Sequence, residues 1–319
     1  MNLIVFDLEW NIGYQPKTFL YHGTELTLRG EIIQIGAVRI NERGDVLDTF
    51  EVNLRPRIFR KLQHHIAKVT GLSQGDLDAG LPMKAGLQKF LDWAGPDAEL
   101  AEWGLDDVPV LKQNLFLVGL DENWPERWYD LQRIFLQSYP RKEGEGMTLE
   151  NVVDRLGIPK EEPFHHALDD ALYTAHICRK LPLSEGLATY PTEEELLREA
   201  LLGDDTAARD VQVFMNRLEH DDYRNAPELQ TAHCPECGAL LTHDEVWLKR
   251  GNTGYYTRSE CPYCGHWYVR FKLSRRDGLH WSFARCTDPA TPEADARWNK
   301  QRAAYLERMK RRKERETQT

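Results

Sequence analysis

The chain has 319 residues, 41% of them hydrophobic and 29% charged. That composition excludes a disordered chain, and no apolar run approaches the ~18 residues that a membrane-spanning helix needs. A net charge of −10 argues against a nucleic-acid partner until its distribution is considered.

The distribution is uneven. Residues 1–230 carry 24 Lys and Arg against 40 Asp and Glu, a net of −16, whereas residues 231–319 carry 17 against 11, a net of +6. An acidic body with a basic tail is an asymmetry of nucleic-acid binders, and cations held by the body would offset part of its charge. No basic stretch precedes the first apolar run, which Asp7 interrupts, so the expectation is a cytoplasmic protein without a signal peptide. The length predicts two domains.

Leu3-Ile4-Val5-Phe6 reads as a buried strand and is followed at once by Asp7 and Glu9. Residues two apart on a strand share a face, so both carboxylates point the same way at a strand's carboxyl end. Residues 11–30 read as a loop, Glu31–Ile40 as a long strand, and Val46–Leu54 as a third strand joined to it by a tight hairpin. Leu62–Val69 is predicted helical and ends at Gly71, Ser73 caps a short turn, and Pro82–Trp93 is a further helix. Glu99–Trp103 and Trp128–Leu131 are predicted as the fourth and fifth strands, with a helix over Asp107–Leu117 between them. Thr148 opens a helix that Gly157 ends, and another covers Ala167–Leu181. Strands interspersed with helices, with one early hairpin, predict an α/β domain with a mixed five-stranded sheet flanked by helices. From residue 184 to 230 the pattern predicts an acidic helical connector, including an amphipathic helix with Val211, Phe214, Met215 and Leu218 on one face. Residues 291–319 form a basic helix or a disordered tail.

Adjacent carboxylates repel unless a cation lies between them, and hard divalent ions such as Mg²⁺ or Mn²⁺ suit oxygen ligands. Asp-x-Glu alone says little, so the weight falls on what lies downstream. Asp106 and Asp107 stand where a strand end meets a helix start, a place where either could merely cap. His165 precedes Asp170 by five residues at the start of a late helix.

Together these residues resemble the DEDD 3′–5′ exonuclease superfamily in its histidine (DEDDh) subclass, with its ribonuclease H-like, proofreading-exonuclease fold. Phe6-Asp7-Leu8-Glu9 matches the first motif, Asp107-Val108-Pro109-Val110-Leu111 the second, which selects Asp107 over Asp106, and His165-x-x-x-x-Asp170 the third. The tyrosine subclass wants Tyr where His166 stands. Glu31–Val38 and Val69-Thr70-Gly71-Leu72 are similar to the family's second strand and connecting helix, so the resemblance covers residues 1–183. The form His-x-Ala-Leu-Asp-Asp is nearest the ERI-1-like branch, which trims RNA 3′ ends.

The resemblance implies a two-metal exonuclease that releases nucleoside 5′-monophosphates from single-stranded nucleic acid, RNA rather than DNA. Asp7, Glu9, Asp107 and Asp170 would hold the ions. His165 would act as general base, a task that suits an imidazole near neutral pH. Leu8 and Trp10 flank the carboxylates and are candidates for stacking on the terminal base. DNA as the substrate, or a nuclease core that binds without turnover, are the alternatives.

Cys234-Pro-Glu-Cys237 and Cys261-Pro-Tyr-Cys264 have the spacing of a four-cysteine zinc site. They predict a small β-rich zinc ribbon over residues 231–290 holding one structural Zn²⁺. Aromatic residues alternate with basic ones there, among them Tyr255, Tyr256, Trp267, Tyr268, Phe271 and Trp281. That pattern suits either a nucleic-acid or protein contact or the ribbon's own core.

Overall fold

The computed structural model describes residues 2–141, 143–203 and 208–316. It divides into two compact units. The first holds residues up to Tyr21, Glu25–Tyr190 and Asp277–Leu279; the second holds His22–Thr24, Pro191–Arg276 and the chain from His280 onward. The chain passes from one unit to the other after Tyr190, seven residues beyond the expected boundary at 183.

The first unit is built on β1 (Leu3–Asn11), β4 (Glu31–Ile40) and β5 (Val46–Arg55), which pair antiparallel in that order. On the other side of β1, β7 (Glu99–Glu102) and then β8 (Trp128–Asp130) run parallel to it. The residues read as a loop contain a hairpin of β2 (Thr18–Tyr21) and β3 (Thr24–Thr27). Its turn puts His22 and Gly23 at φ 46° and 84°, the two left-handed residues that a tight hairpin requires. The sheet has six strands rather than five, because β6 (Leu81–Pro82) adds two residues beside β5. The helix expected from Pro82 starts one residue later. Pro82 is still extended at its N-cap, where a residue without an N–H costs nothing.

The helices are α1 (His64–Thr70), α2 (Gln74–Ala79), α3 (Met83–Ala94), α4 (Asp107–Val118), α5 (Leu131–Ser138), α6 (Leu149–Arg155), α7 (Ala167–Cys178) and α8 (Leu183–Ala188). Alternation along β1 sends Ile4, Phe6 and Leu8 into a core with Leu87 and Phe90 of α3 and Val108 and Leu111 of α4. Asp7 and Glu9 alternate with these core residues. Gly36 stands opposite Asp7 in the register, and residues opposite each other on paired strands share a face. A side chain at Gly36 would come within 2.0 Å of Leu168 N, so α7 rests its first turn directly on the sheet beside Asp7.

The second unit contains α9 (Glu193–Leu202), β9 (Asp210–Arg217), α10 (Asp222–Asn225), α11 (Pro227–Gln230), β10 (Thr242–His243) and β11 (Leu248–Lys249). β12 (Gly254–Cys261), β13 (Gly265–Ser274), β14 (Trp281–Pro289) and α12 (Pro292–Glu316) complete it. Its sheet runs β10-β12-β13-β14-β9. The helix expected over Val211–Leu218 is therefore corrected to a strand. β9 pairs antiparallel with β14, and Val211 and Val213 extend readily once a partner supplies the ladder. The stretch 184–230 is thus no separate helical connector: α8 lies in the first unit, and α9 to α11 with β9 belong to the second. The tail is the helix α12, which buries Trp298 against Tyr256 and Tyr268.

Candidate active site and cysteine cluster

Asp7, Glu9, Asp107, His165 and Asp170 all line one cleft of about 390 Å³ at the carboxyl end of β1. Three elements deliver them. β1 carries Asp7 and Glu9, and its register with β4 shifts after Glu9, at a β-bulge. The start of α4 supplies Asp107, and α7 with the residue before its cap supplies Asp170 and His165.

One ligand atom from each of Glu9, His165 and Asp170 lies within 4.8 Å of the other two. His165 has φ 68°, a left-handed backbone that is uncommon outside glycine. Its amide donates to Asp170 Oδ2 at 3.0 Å, which ties the histidine to the helix carboxylate. His166 lies elsewhere, its Nε2 3.1 Å from both Glu51 Oε1 and Gln34 Nε2. Asp107 is buried, whereas Asp106 is exposed and pairs with Arg29 at 3.4 Å. The environment thus separates the two aspartates that spacing left open.

Glu102, which the sequence reading passed over, completes the acidic set. It is fully buried at the end of β7, and its Oε2 accepts the amides of Asp107 at 2.8 Å and Val108 at 3.4 Å. It therefore caps α4 from outside the helix. The available signal was a charged residue closing the apolar strand Glu99-Leu100-Ala101-Glu102.

No lysine or arginine stands among the described lining residues of the cleft. Burial raises the Asp7 carboxyl well above its ordinary range, and the charges of Asp170, Glu9 and Glu102 add to that. Burial and then Asp7 and Glu102 do the same to Asp107. Glu9 is pushed up to about 8 by burial and by Asp170. Glu102 also reaches about 8, burial outweighing the two amides it accepts. Asp170 rises to about 6, burial outweighing the pull of His165. Asp170 Oδ1 and Glu102 Oε1 are buried without a hydrogen-bond partner. Crowded, all-oxygen and partly unsatisfied, this donor set fits hard divalent cations.

Trp10 lines the cleft half-buried and leans on the core. Leu8 also lines it, is 3% exposed and packs in that core.

In the second unit Cys234, Cys237, Cys261 and Cys264 bring their sulfurs within 4.8 Å of one another. None is in a disulfide, and Cys237 Sγ stands 3.5 Å from Cys261 Sγ. A tetrahedral zinc with Zn–S bonds of about 2.3 Å separates its sulfurs by roughly 3.8 Å. The amides of Tyr263 and Cys264 point at Cys261 Sγ, and Gly238 and Gly265 take the left-handed turns after each pair. Trp267, Tyr268, Tyr256 and Phe271 are buried, so these aromatics form the unit's own core.

Residues 4–178 match the RNase T-type family described as Exonuclease. The chain belongs to this exonuclease family. A probable 3′–5′ exonuclease of Bacillus subtilis (strain 168), KapD, is 26% identical over 185 residues, 56% of this chain and 83% of its own. Among solved structures, E. coli exonuclease I in complex with a dT13 oligonucleotide aligns over 81% of this chain and 55% of its own, at 16% identity and a TM-score of 0.50. The nuclease domain of 3′hExo, a DEDDh family member bound to rAMP, aligns over 56% and 90%, at 22% identity and a TM-score of 0.47. The chain thus carries an exonuclease domain, and the relatives support 3′–5′ activity on nucleic acid.

Proposed function

We propose that this exonuclease removes nucleoside 5′-monophosphates from the 3′ end of single-stranded RNA with the help of two divalent ions. The observation that carries the reading is the convergence of Asp7, Glu9, Asp107, His165 and Asp170 on one cleft whose described lining holds no lysine or arginine. When bound, Mg²⁺ or Mn²⁺ at such a centre lowers the pKa of water and neutralises charge on the scissile phosphate. The four carboxylates Asp7, Glu9, Asp107 and Asp170 would hold the ions. Asp7 would be central to that set, since its charge is felt by Asp107 and it feels the charges of Asp170 and Glu9. His165 takes the proton from the attacking water, held at the mouth by its left-handed backbone and its bond to Asp170. Trp10 offers its ring to the terminal base. RNA is favoured by the form of the His165-His166-Ala167-Leu168-Asp169-Asp170 segment.

The cysteine cluster is assigned to one structural Zn²⁺, because its four sulfurs and the amides turned toward them fit a thiolate-bound cation. Thiolates of this kind persist in a reducing compartment, in keeping with a cytoplasmic location. Among the described residues no helix is long and apolar enough to cross a membrane.

The test compares 5′-labelled RNA and DNA 20-mers of one sequence with Mg²⁺ or Mn²⁺. Expected are a 3′-shortening ladder with release of mononucleotides, a higher kcat/KM on RNA, and a loss of at least about 10³-fold in Asp7→Asn, equivalent to roughly 4 kcal/mol. Faster turnover of DNA reassigns the substrate. Binding without turnover under every metal sinks the catalytic reading and leaves a binding module.

A further inference from the structure

A polyanionic substrate must approach a body that carries net negative charge, so it needs a local source of positive charge. The first unit has one. A pocket of about 590 Å³ is lined by Arg55, Arg57, Arg60 and Lys84, and Asp78 is its sole carboxylate residue among those described. All four basic residues are exposed. Their guanidinium bonds go to main-chain oxygens: Arg55 to Asp78 O at 3.4 Å, Arg57 to Leu117 O at 3.2 Å and Arg60 to Arg57 O at 3.0 Å. None of the four forms an ion pair with a described carboxylate. Other arginines of the unit do, among them Arg29 with Asp106, Arg127 with Glu99 and Arg155 with Glu145.

The loop that presents this charge is fixed from beneath. Glu31, 2% exposed, accepts the amides of Arg57, Ile58 and Phe59 at 2.8, 2.7 and 2.5 Å. Asn11, fully buried, donates to the carbonyls of Phe59 and Lys61 at 2.7 and 2.9 Å and accepts the Gln63 amide at 3.1 Å. Six main-chain groups are thereby held by two buried side chains, and the arginine side chains project outward from a set backbone.

The placement relative to the cleft follows from the sheet. Asn11 lies two residues beyond Glu9 on β1. Arg55 ends β5, which runs in the direction of β1 with β4 between them. The pocket therefore lies toward the same end of the strands as the carboxylates, beside β5 and β6 and at least two strand spacings, roughly 10 Å, from β1. Guanidinium forks suit phosphate oxygens, and their charge serves any sequence.

We propose that this pocket grips the phosphodiester backbone of the substrate strand upstream of the nucleotide being removed. The proposal rests on the nuclease reading of the carboxylate cleft, and the experiment separates the two. It compares the wild type with Arg57→Gln/Arg60→Gln/Lys84→Gln and with the charge-reversed Arg57→Glu/Arg60→Glu. Binding of a labelled RNA 20-mer is read by anisotropy in EDTA, and hydrolysis of the 20-mer and of a dinucleotide with Mn²⁺, over 50–300 mM KCl.

The glutamine variant is expected to bind the 20-mer at least about tenfold more weakly at the lowest salt. Its slope of log affinity against log salt should flatten by about 2, three phosphate contacts at ~0.7 each. In hydrolysis its KM for the 20-mer should rise while dinucleotide kinetics stay within twofold of wild type. Equal affinity and equal slope in both variants overturn the proposal, whatever the turnover. Lost binding in a protein that hydrolyses nothing upholds the pocket and removes only the catalytic reading.

Discussion

Glu9 and Glu102 are carboxyls that burial pushes up to about 8, and Asp170 is one raised to about 6. In the unfolded chain each titrates near 4. Between those values the folded state binds more protons than the unfolded one, so stability falls as pH rises through this window. A divalent ion reverses the burden by giving the ionised carboxylates a partner. The metal-free enzyme should therefore melt several degrees lower at pH 8.5 than at pH 5.5, and added Mn²⁺ should raise the melting temperature far more at the higher pH. Scanning calorimetry across pH, with EDTA or Mn²⁺, checks this; a metal-free melting temperature that climbs from pH 5.5 to 8.5 counts against it. The residues at this scale differ in how legible they were. Asp7, Glu9 and Asp170 announce themselves because a carboxylate is costly where the surrounding pattern is apolar. Glu102 did not, since its role is to accept amides of a helix that begins five residues later and packs beside it only in the folded chain. The left-handed backbone of His165 is equally silent in sequence, because no glycine marks it.

At the scale of elements, the site depends on how closely α7 can approach β4. An added Cβ at Gly36 would fall 2.0 Å from Leu168 N and 2.1 Å from Ala167 C, and both are backbone atoms that no rotamer change can move aside. Gly36→Val should thus push the first turn of α7 off the sheet, carrying His165 and Asp170 away from Asp7. A shift of about 1 Å at reacting groups costs on the order of 10²-fold in rate, and overpacking costs about 1–3 kcal/mol in stability. The expected result is a kcat lowered by about that factor with a reduced melting temperature, measured on the same preparation. Near-normal kcat in a folded Gly36→Val protein would mean that the helix is positioned by something other than this contact. β1, β4 and β5 were readable because Val and Ile cluster in them and turn residues bound them, whereas β2 and β3, four residues each, lay in a stretch read as a loop. β9 was misread because four apolar residues over eight positions fit a helix face almost as well as a sheet edge, and only its pairing with β14 decides. β6 was hidden inside a helix start, being two residues long.

Across the whole molecule, the cysteine cluster raises the question of how much of the second unit a zinc ion would hold in place. A ribbon confined to residues 231–290 could build little core, and on that ground metal would be the main support. The unit is larger than that, since it draws in residues from Pro191 onward and the helix α12. It also has several separate clusters. Tyr223, Phe271 and Phe283 pack with Trp247, Tyr255 and Trp281 in one; Trp298 packs with Tyr256 and Tyr268 in another. The cysteines lie in a third, where Cys234 and Cys261 meet Trp267 and Val269, and Trp247 borders both this one and the first. Loss of zinc should therefore loosen the two knuckles without collapsing the sheet. The purified chain is expected to carry one zinc, and Cys237→Ser/Cys264→Ser to carry none. In that variant hydrogen exchange should quicken over residues 232–241 and 261–266, and the melting temperature should fall by several degrees. The near-ultraviolet circular dichroism of Tyr223, Tyr255 and Trp281 should persist, because those rings pack on Phe271 of β13 and Phe283 of β14, whereas Trp247, which also packs beside the cysteines, should lose part of its signal. Complete disappearance of the near-ultraviolet signal would show that the metal supports the whole unit; a wild-type chain free of zinc would show that the sulfurs serve some other purpose.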